Sequence, residues 1–194
     1  TEPLEFRTLE SLSEVPSNQW NALTDGHPFL SHAFLHALHE TGCASQRTGW
    51  RPHYLTLWRN GDLEGACPLY LKSHSRGEYV FDWAWADAYH QHGLAYYPKL
   101  LSAIPFSPVT GARLLARTES ARKQLLAAML DAAKQVSSLH ILFPRNGDAI
   151  ALKEAGLMLR RGVQFHWRNE NYESFDAFLT CLSHDKRKKI RQER

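Results

Sequence analysis

The chain has 194 residues and a mass of 22.2 kDa, room for one substantial core but not for two. Its 43% hydrophobic, 22% charged and 11% aromatic residues exclude disorder, collagen and coiled coil. The formal net charge is +3, but residues 185–194 hold six Lys or Arg against two acids, so the basic character belongs to the tail and not to a general basic face.

Cys43, Cys67 and Cys181 are odd in number and widely spaced, which fits neither a disulfide framework nor a zinc pattern and points to a reducing compartment. No apolar stretch is long enough for a membrane span; the greasiest, 93–115, is broken by Lys99, Arg113 and three prolines. The first residues, Thr1-Glu2-Pro3-Leu4-Glu5, lack the basic and apolar regions of a signal peptide. A cytoplasmic protein without a membrane span is the expectation.

In chain order, residues 4–9 read as a short strand and Pro16 with Trp20 and Leu23 as a helical turn or two. Ser31 ahead of Phe34, Leu35 and Leu38, with Gly42 beyond, predicts a capped helix. Two apolar runs, 54–59 and 63–73, flank Asn60-Gly61 and predict a β-hairpin, with Pro68 at an edge or bulge. Residues 78–86 (EYVFDWAWA) alternate, with Tyr79, Phe81, Trp83 and Trp85 on one face, and read as a central strand. A Tyr-rich helix over 87–101 follows, then a shaped, Pro-rich loop over 104–111 and a short strand over 112–116. Residues 119–136 read as the clearest helix of the chain, with Leu125, Leu126, Met129 and Leu130 on one side and Arg122, Lys123, Asp131 and Lys134 on the other. Thereafter come a strand at 139–143, a helix at 146–155, a strand at 158–167 and a helix from Ser174 onward. This order predicts an α/β (α+β) layer built on one mixed sheet.

Several strings are more specific than their physics: Pro28-Phe29-Leu30-Ser31-His32-Ala33-Phe34-Leu35, Pro68-Leu69-Tyr70-Leu71-Lys72-Ser73-His74-Ser75, and the run from Gly77 through Asp82-Trp83-Ala84-Trp85-Ala86-Asp87-Ala88-Tyr89. Tyr96-Tyr97-Pro98-Lys99-Leu100, Pro105-Phe106-Ser107-Pro108-Val109-Thr110-Gly111, Gly162-Val163-Gln164-Phe165-His166-Trp167 and Lys186-Arg187-Lys188-Lys189-Ile190-Arg191 continue them. Together, from Pro28 to the last residue, they resemble the bacterial FemAB-like predicted N-acyltransferases, a peptidoglycan biosynthesis or recognition family. The resemblance implies a GNAT-like fold, a mixed and mostly antiparallel sheet flanked by helices. It also implies two tandem domains, so that 1–182 would be the N-terminal GNAT-like domain and 183–194 a basic helix leading to a second, missing half.

An acyl-CoA site in a GNAT domain implies an Arg/Gln-x-x-Gly-x-Gly/Ala loop after a central strand, its N–H groups facing the pyrophosphate. The one such start here, Gln46-Arg47-Thr48-Gly49, precedes the hairpin. The donor is therefore left open between acyl-CoA and aminoacyl-tRNA, the donor of the Fem ligases that the chain resembles; no covalently bound cofactor is implied.

Amide-forming transfer needs a proton acceptor for the attacking amine and donors for the oxyanion. Asp82, with a raised pKa, and Asp87 are candidate catalytic carboxylates, because a carboxylate on an apolar strand is costly unless partnered. His166, on the late strand, is a candidate base. Trp83, Trp85, Tyr89, Tyr97, Lys99, Phe106, Thr110 and Gln164 are candidate acceptor-binding residues, with Tyr96 beside them. His32, His36 and His39 share a helix face, but no carboxylate or cysteine completes a set, and no metal is expected.

The expected function is N-acyl or aminoacyl transfer to a small-molecule or peptidoglycan-precursor amine, the isolated domain being inactive by itself. The alternative is a non-catalytic module that recognises a sugar-peptide by stacking on Trp83, Trp85 and the tyrosines. tRNA contact through Lys186, Arg187, Lys188, Lys189 and Arg191 is a further expected partnership.

Overall fold

One long hairpin sets the frame. The structure, a computed structural model, describes residues 3–193. Strands β1 (Glu5–Leu9), β2 (Trp50–Pro52), β3 (Tyr54–Arg59), β4 (Asp62–Cys67) and β5 (Leu69–Lys72) are followed by β6 (Lys99–Ser102), β7 (Leu115–Ala116) and β8 (Leu139–Ile141). Asn60 and Gly61, with φ of 53° and 85°, turn β3 into β4 through the left-handed backbone that such a tight turn requires.

Both arms of the hairpin break at one level, His53 on the first and Pro68 on the second. Pro68 has no N–H to give a ladder, and the His53 N–H reaches past it to Leu69 O at 2.9 Å. The break divides the expected single sheet into two four-stranded ones, ordered β1-β3-β4-β7 and β2-β5-β6-β8. Pairing is antiparallel throughout except between β6 and β8, so the mixed, mostly antiparallel α/β class holds.

Helices α1 (Ser17–Asn21), α2 (His32–Glu40), α3 (Trp83–Gln91), α4 (Glu119–Ala133), α5 (Asn146–Glu154), α6 (Phe175–Thr180) and α7 (His184–Glu193), with short 3-10 turns at Leu12–Glu14, Pro28–Leu30 and Gln46–Thr48, complete the described elements. Ser31 caps α2 by accepting the Phe34 N–H at 3.3 Å, and Thr118 caps α4 by accepting that of Ala121 at 3.1 Å. α2 packs Leu35, Phe34 and Leu38 on a core with Trp20, Trp50, Tyr54, Trp58 and Tyr70. α4 places Leu125, Leu126 and Met129 on a second core with Leu55, Cys67, Leu69 and Leu114.

Three expected elements differ. Residues 78–86 are not a central strand: Gly77 and Tyr79 take φ of 80° and 61°, and α3 begins at Trp83. Residues four apart on a strand lie roughly 13 Å apart, too far for Glu78 and Asp82 to share one ammonium, whereas here both bond to Lys99. The helix expected over 87–101 ends at Gln91, and Lys99–Ser102 is instead strand β6, held between β5 and β8. Residues 158–167 form no strand, since no described strand offers them a ladder.

The chain divides into two compact units, Thr1–Leu159 and Arg160–Arg194. In the second, α6 follows a segment without helix or strand, and Trp167, Tyr172, Phe175 and Phe178 form an aromatic cluster with ring centroids 5.4 to 6.3 Å apart. Among the described residues no helix is long and apolar enough to cross a membrane.

Candidate functional site

The chemistry in the first unit gathers around Lys99. Pairing of β6 with β5 sets Lys99 opposite Lys72, and both side chains are fully buried. The Lys99 ammonium donates to Ser75 Oγ at 2.8 Å, to Glu78 Oε2 at 2.9 Å and to Asp82 Oδ2 in a shorter contact. Asp82 Oδ2 also accepts the Tyr96 hydroxyl at 2.6 Å, and that hydroxyl lies 3.2 Å from His140 Nε2. Ser138 Oγ meets the same imidazole nitrogen at 3.0 Å, and Tyr97 meets Ser75 Oγ at 2.8 Å. Lys72 sits over the Trp50 ring at 3.8 Å and 3.8 Å from Glu78 Oε1.

Two cations thus face two carboxylates out of water, which is tolerable because the formal charges cancel and the groups are bonded. Burial brings Lys72 down to about 8, only partly opposed by Glu78. Burial pushes Glu78 up against the hydrogen bond from Lys99. For Asp82 burial also pushes upward, but the bonds from Lys99 and Tyr96 prevail and hold the carboxyl below its usual range. The raised carboxyl expected at Asp82 is therefore Glu78. Glu78 Oε1, Asp82 Oδ1 and Trp50 Nε1 are buried without a hydrogen-bond partner.

The structure brings Asp82, Tyr96, Tyr97 and Lys99 together. It leaves Trp83 and Trp85 on α3 at 45% and 59% exposure and Asp87 exposed in the middle of that helix, where it caps nothing. Tyr89 packs edge-on against Tyr96 at 5.1 Å. Phe106 lies on Trp50 at 5.2 Å and so close to Gly77 that a Cβ there would meet its ring at 2.7 Å. Thr110 is exposed, its carbonyl 3.1 Å from His27 Nε2. Gln164 and His166 belong to the second unit, exposed and outside any helix or strand.

Sequence reading missed Lys72, Ser75, Glu78, Ser138 and His140. No local pattern marked them: Glu78 and Asp82 reach one ammonium through the left-handed backbone at Tyr79, ahead of α3 and outside any helix or strand. Gln46-Arg47-Thr48 is a 3-10 turn closed by reciprocal Ser45 and Thr48 bonds and leads into β2. The β7-to-α4 turn is capped by Thr118, with Glu119 in the first helical turn. His32 and His36 stack at 5.4 Å, and among the described residues no three His, Cys, Asp or Glu are placed to hold a metal.

His140 fixes a pH dependence. Burial first, then Lys99, brings its imidazole down to about 4, and burial brings His39, 3.1 Å from the Tyr54 hydroxyl, down to about 4 as well. Between pH 6.5 and 4 the unfolded chain takes up protons that the folded one refuses, so this stability is present above about 6.5 and lost on acidification. The expected loss is about 3 kcal/mol from His140 and less from the more open His39. Urea midpoints across this range check it, with His140→Gln expected to flatten the fall.

Fold and cluster define a mixed α/β protein with an ionic centre sealed beside a short aromatic helix. The chain belongs to the FemAB-like family, described as peptidoglycan biosynthesis/recognition, which residues 11–194 match. Among solved structures it is similar to a ribosomal-protein-alanine N-acetyltransferase from Brucella melitensis biovar Abortus 2308, at 14% identity over 87% of this chain and 100% of that one, with a TM-score of 0.47. It is also similar to an acetyltransferase of Trypanosoma brucei, at 14% identity over 85% of this chain and 100% of that one, with a TM-score of 0.45. No curated protein matches the chain.

Proposed function

We propose that the protein is an N-acyltransferase acting on an amine of a peptidoglycan precursor, with the Lys99 cluster as its reacting centre. The observation that carries this reading is the convergence of a raised carboxyl, Glu78, with an ammonium and a phenol that share Asp82. Family membership supplies the substrate class.

In this reaction the neutral acceptor amine attacks the acyl carbonyl and forms the C–N bond. The oxyanion of the tetrahedral intermediate takes over from Asp82 the N–H that Lys99 gives it and the O–H that Tyr96 gives it. Glu78 takes the proton from nitrogen, and the donor's leaving group departs with its bonding electrons. Asp82, first expected as the base, holds Lys99 and Tyr96 in place. The donor is acyl-CoA or aminoacyl-tRNA, the latter with α7 against its phosphates. Trp83, Trp85, Tyr89, Tyr97, Phe106 and Thr110 would hold the acceptor.

The test offers a nucleotide-linked muramyl peptide with acetyl-CoA or with aminoacyl-tRNA and follows amide product by mass spectrometry. Glu78→Gln is expected to lose roughly 10²-fold or more in turnover. Unchanged turnover would sink the assignment. The exposure of Trp83 and Trp85 favours a second reading, a sugar-peptide recognition module. Tight muramyl-peptide binding with no product from either donor would select it.

A further inference from the structure

The cluster is sealed: Lys72, Lys99, Glu78 and Asp82 have almost no contact with water, so a substrate reaches them only if something covering them moves. The neighbouring element least tied down is α3. None of its residues is buried. Its start is held by Asp82 through Lys99 and Tyr96, and its last half by Tyr89 resting on Tyr96. On either side lie left-handed backbones, Tyr79 before it and Gly93 after it, while Val80 stays packed in the core. A segment with few buried contacts and defined anchors is what opens below global unfolding.

The closed state leaves two acceptors without a hydrogen bond beside the shared ammonium: Asp82 Oδ1, and Glu78 Oε1, which has the Lys72 ammonium 3.8 Å away, beyond hydrogen-bond reach. A buried acceptor without a donor is costly. Because the two lysines already balance the two carboxylates, a charged ammonium would add an uncompensated buried charge, whereas an uncharged primary amine brings two N–H donors and no charge.

We propose that α3 is a hinged cover over an amine recess, latched by Asp82, and that Glu78 Oε1 and Asp82 Oδ1 receive the two N–H groups of a primary amine in its uncharged form. This deepens the acyl-transfer reading, whose acceptor it places, and rests on it for the amine's biological source but not for the binding itself. The cover admits the nucleophile and then excludes water from the cluster.

Hydrogen exchange on the whole chain, together with reductive methylation of lysines by formaldehyde and cyanoborohydride, tests the cover. The expected result is that α3 amides exchange well ahead of those in β3 and β4, that Lys72 and Lys99 are methylated at a rate tracking α3, and that Asp82→Asn raises both rates about tenfold while β3 and β4 stay protected. If α3 exchanges while Lys72 and Lys99 react only on global unfolding, α3 is merely a surface helix and the proposal falls.

The recess is probed with 2,2,2-trifluoroethylamine, uncharged at neutral pH, against trifluoroethanol and tetramethylammonium at equal millimolar concentration. The amine is expected to slow α3 exchange about threefold, with no effect from the alcohol or the quaternary ion, and Glu78→Gln is expected to abolish the slowing. Equal effects of amine and alcohol, or none from the amine, would overturn it. Amine-specific slowing in a protein without acyl transfer would keep the recess and remove the reaction; transfer without the slowing would do the reverse.

Discussion

Lys99→Met is expected to destabilise the protein by about 3–5 kcal/mol near neutral pH, the cost of leaving buried carboxylates without their cation. Lys99 is fully buried and donates to Ser75, Glu78 and Asp82 at once, so its removal strips a charged partner from two acids in one step. Lys72, 3.8 Å from Glu78, gives its hydrogen bond to the Arg76 carbonyl and reaches Asp82 only through its field, so it does not replace Lys99. The sign with pH follows from the variant's carboxyls: without Lys99 both are raised, so the deficit is greatest when they must ionise and shrinks as acid protonates them. Urea unfolding near pH 7 and pH 5 reads this, and Lys99→Met combined with Asp82→Asn is expected to recover part of the loss. Equal destabilisation at both pH values would show that packing, not charge, is what Lys99 contributes.

Asp148→Ala carries the second large effect, again about 3–5 kcal/mol. Asp148 is fully buried at the start of α5, where Oδ2 accepts the backbone N–H groups of Arg113 at 2.6 Å and Leu114 at 3.2 Å. Its Oδ1 accepts Arg122 Nη2 at 3.2 Å and Arg145 Nε at 3.5 Å. One side chain thus ties the approach to β7, α4 and α5 to each other. Arg113, buried beside it, spends its guanidinium on the carbonyls of Val109, Ala112 and Leu142. Asp148→Ala leaves two N–H groups and a nearby buried cation unserved. Asp148→Asn, which keeps an acceptor oxygen, is expected to cost about 1–2 kcal/mol. Thermal unfolding of both variants decides it; a smaller loss for Ala than for Asn would contradict the account.

Local chemistry was legible wherever it was self-contained. Asn60-Gly61 marked its turn because few other dipeptides accept positive φ twice in succession. Ser31 marked a helix start because a cap bonds within three residues of itself. Residues 78–86 misled because an aromatic alternation satisfies the strand template whether or not a neighbouring strand exists. The polarity of Asp82 was read correctly as needing a partner, and Lys99 stood among the candidates, but the bond between them spans seventeen positions and depends on β6 lying beside β5.

By itself the sequence determined the mixed α/β class, the hairpin, the Ser31 cap and the family, all of which depend on residues close in the chain. The tertiary structure alone decided that the sheet divides at Pro68, that Lys72 and Lys99 face each other from neighbouring strands, and that Glu78, not Asp82, is the raised carboxyl. Each of these is set by burial and by the field of groups far apart in sequence, and neither quantity exists until the chain is folded.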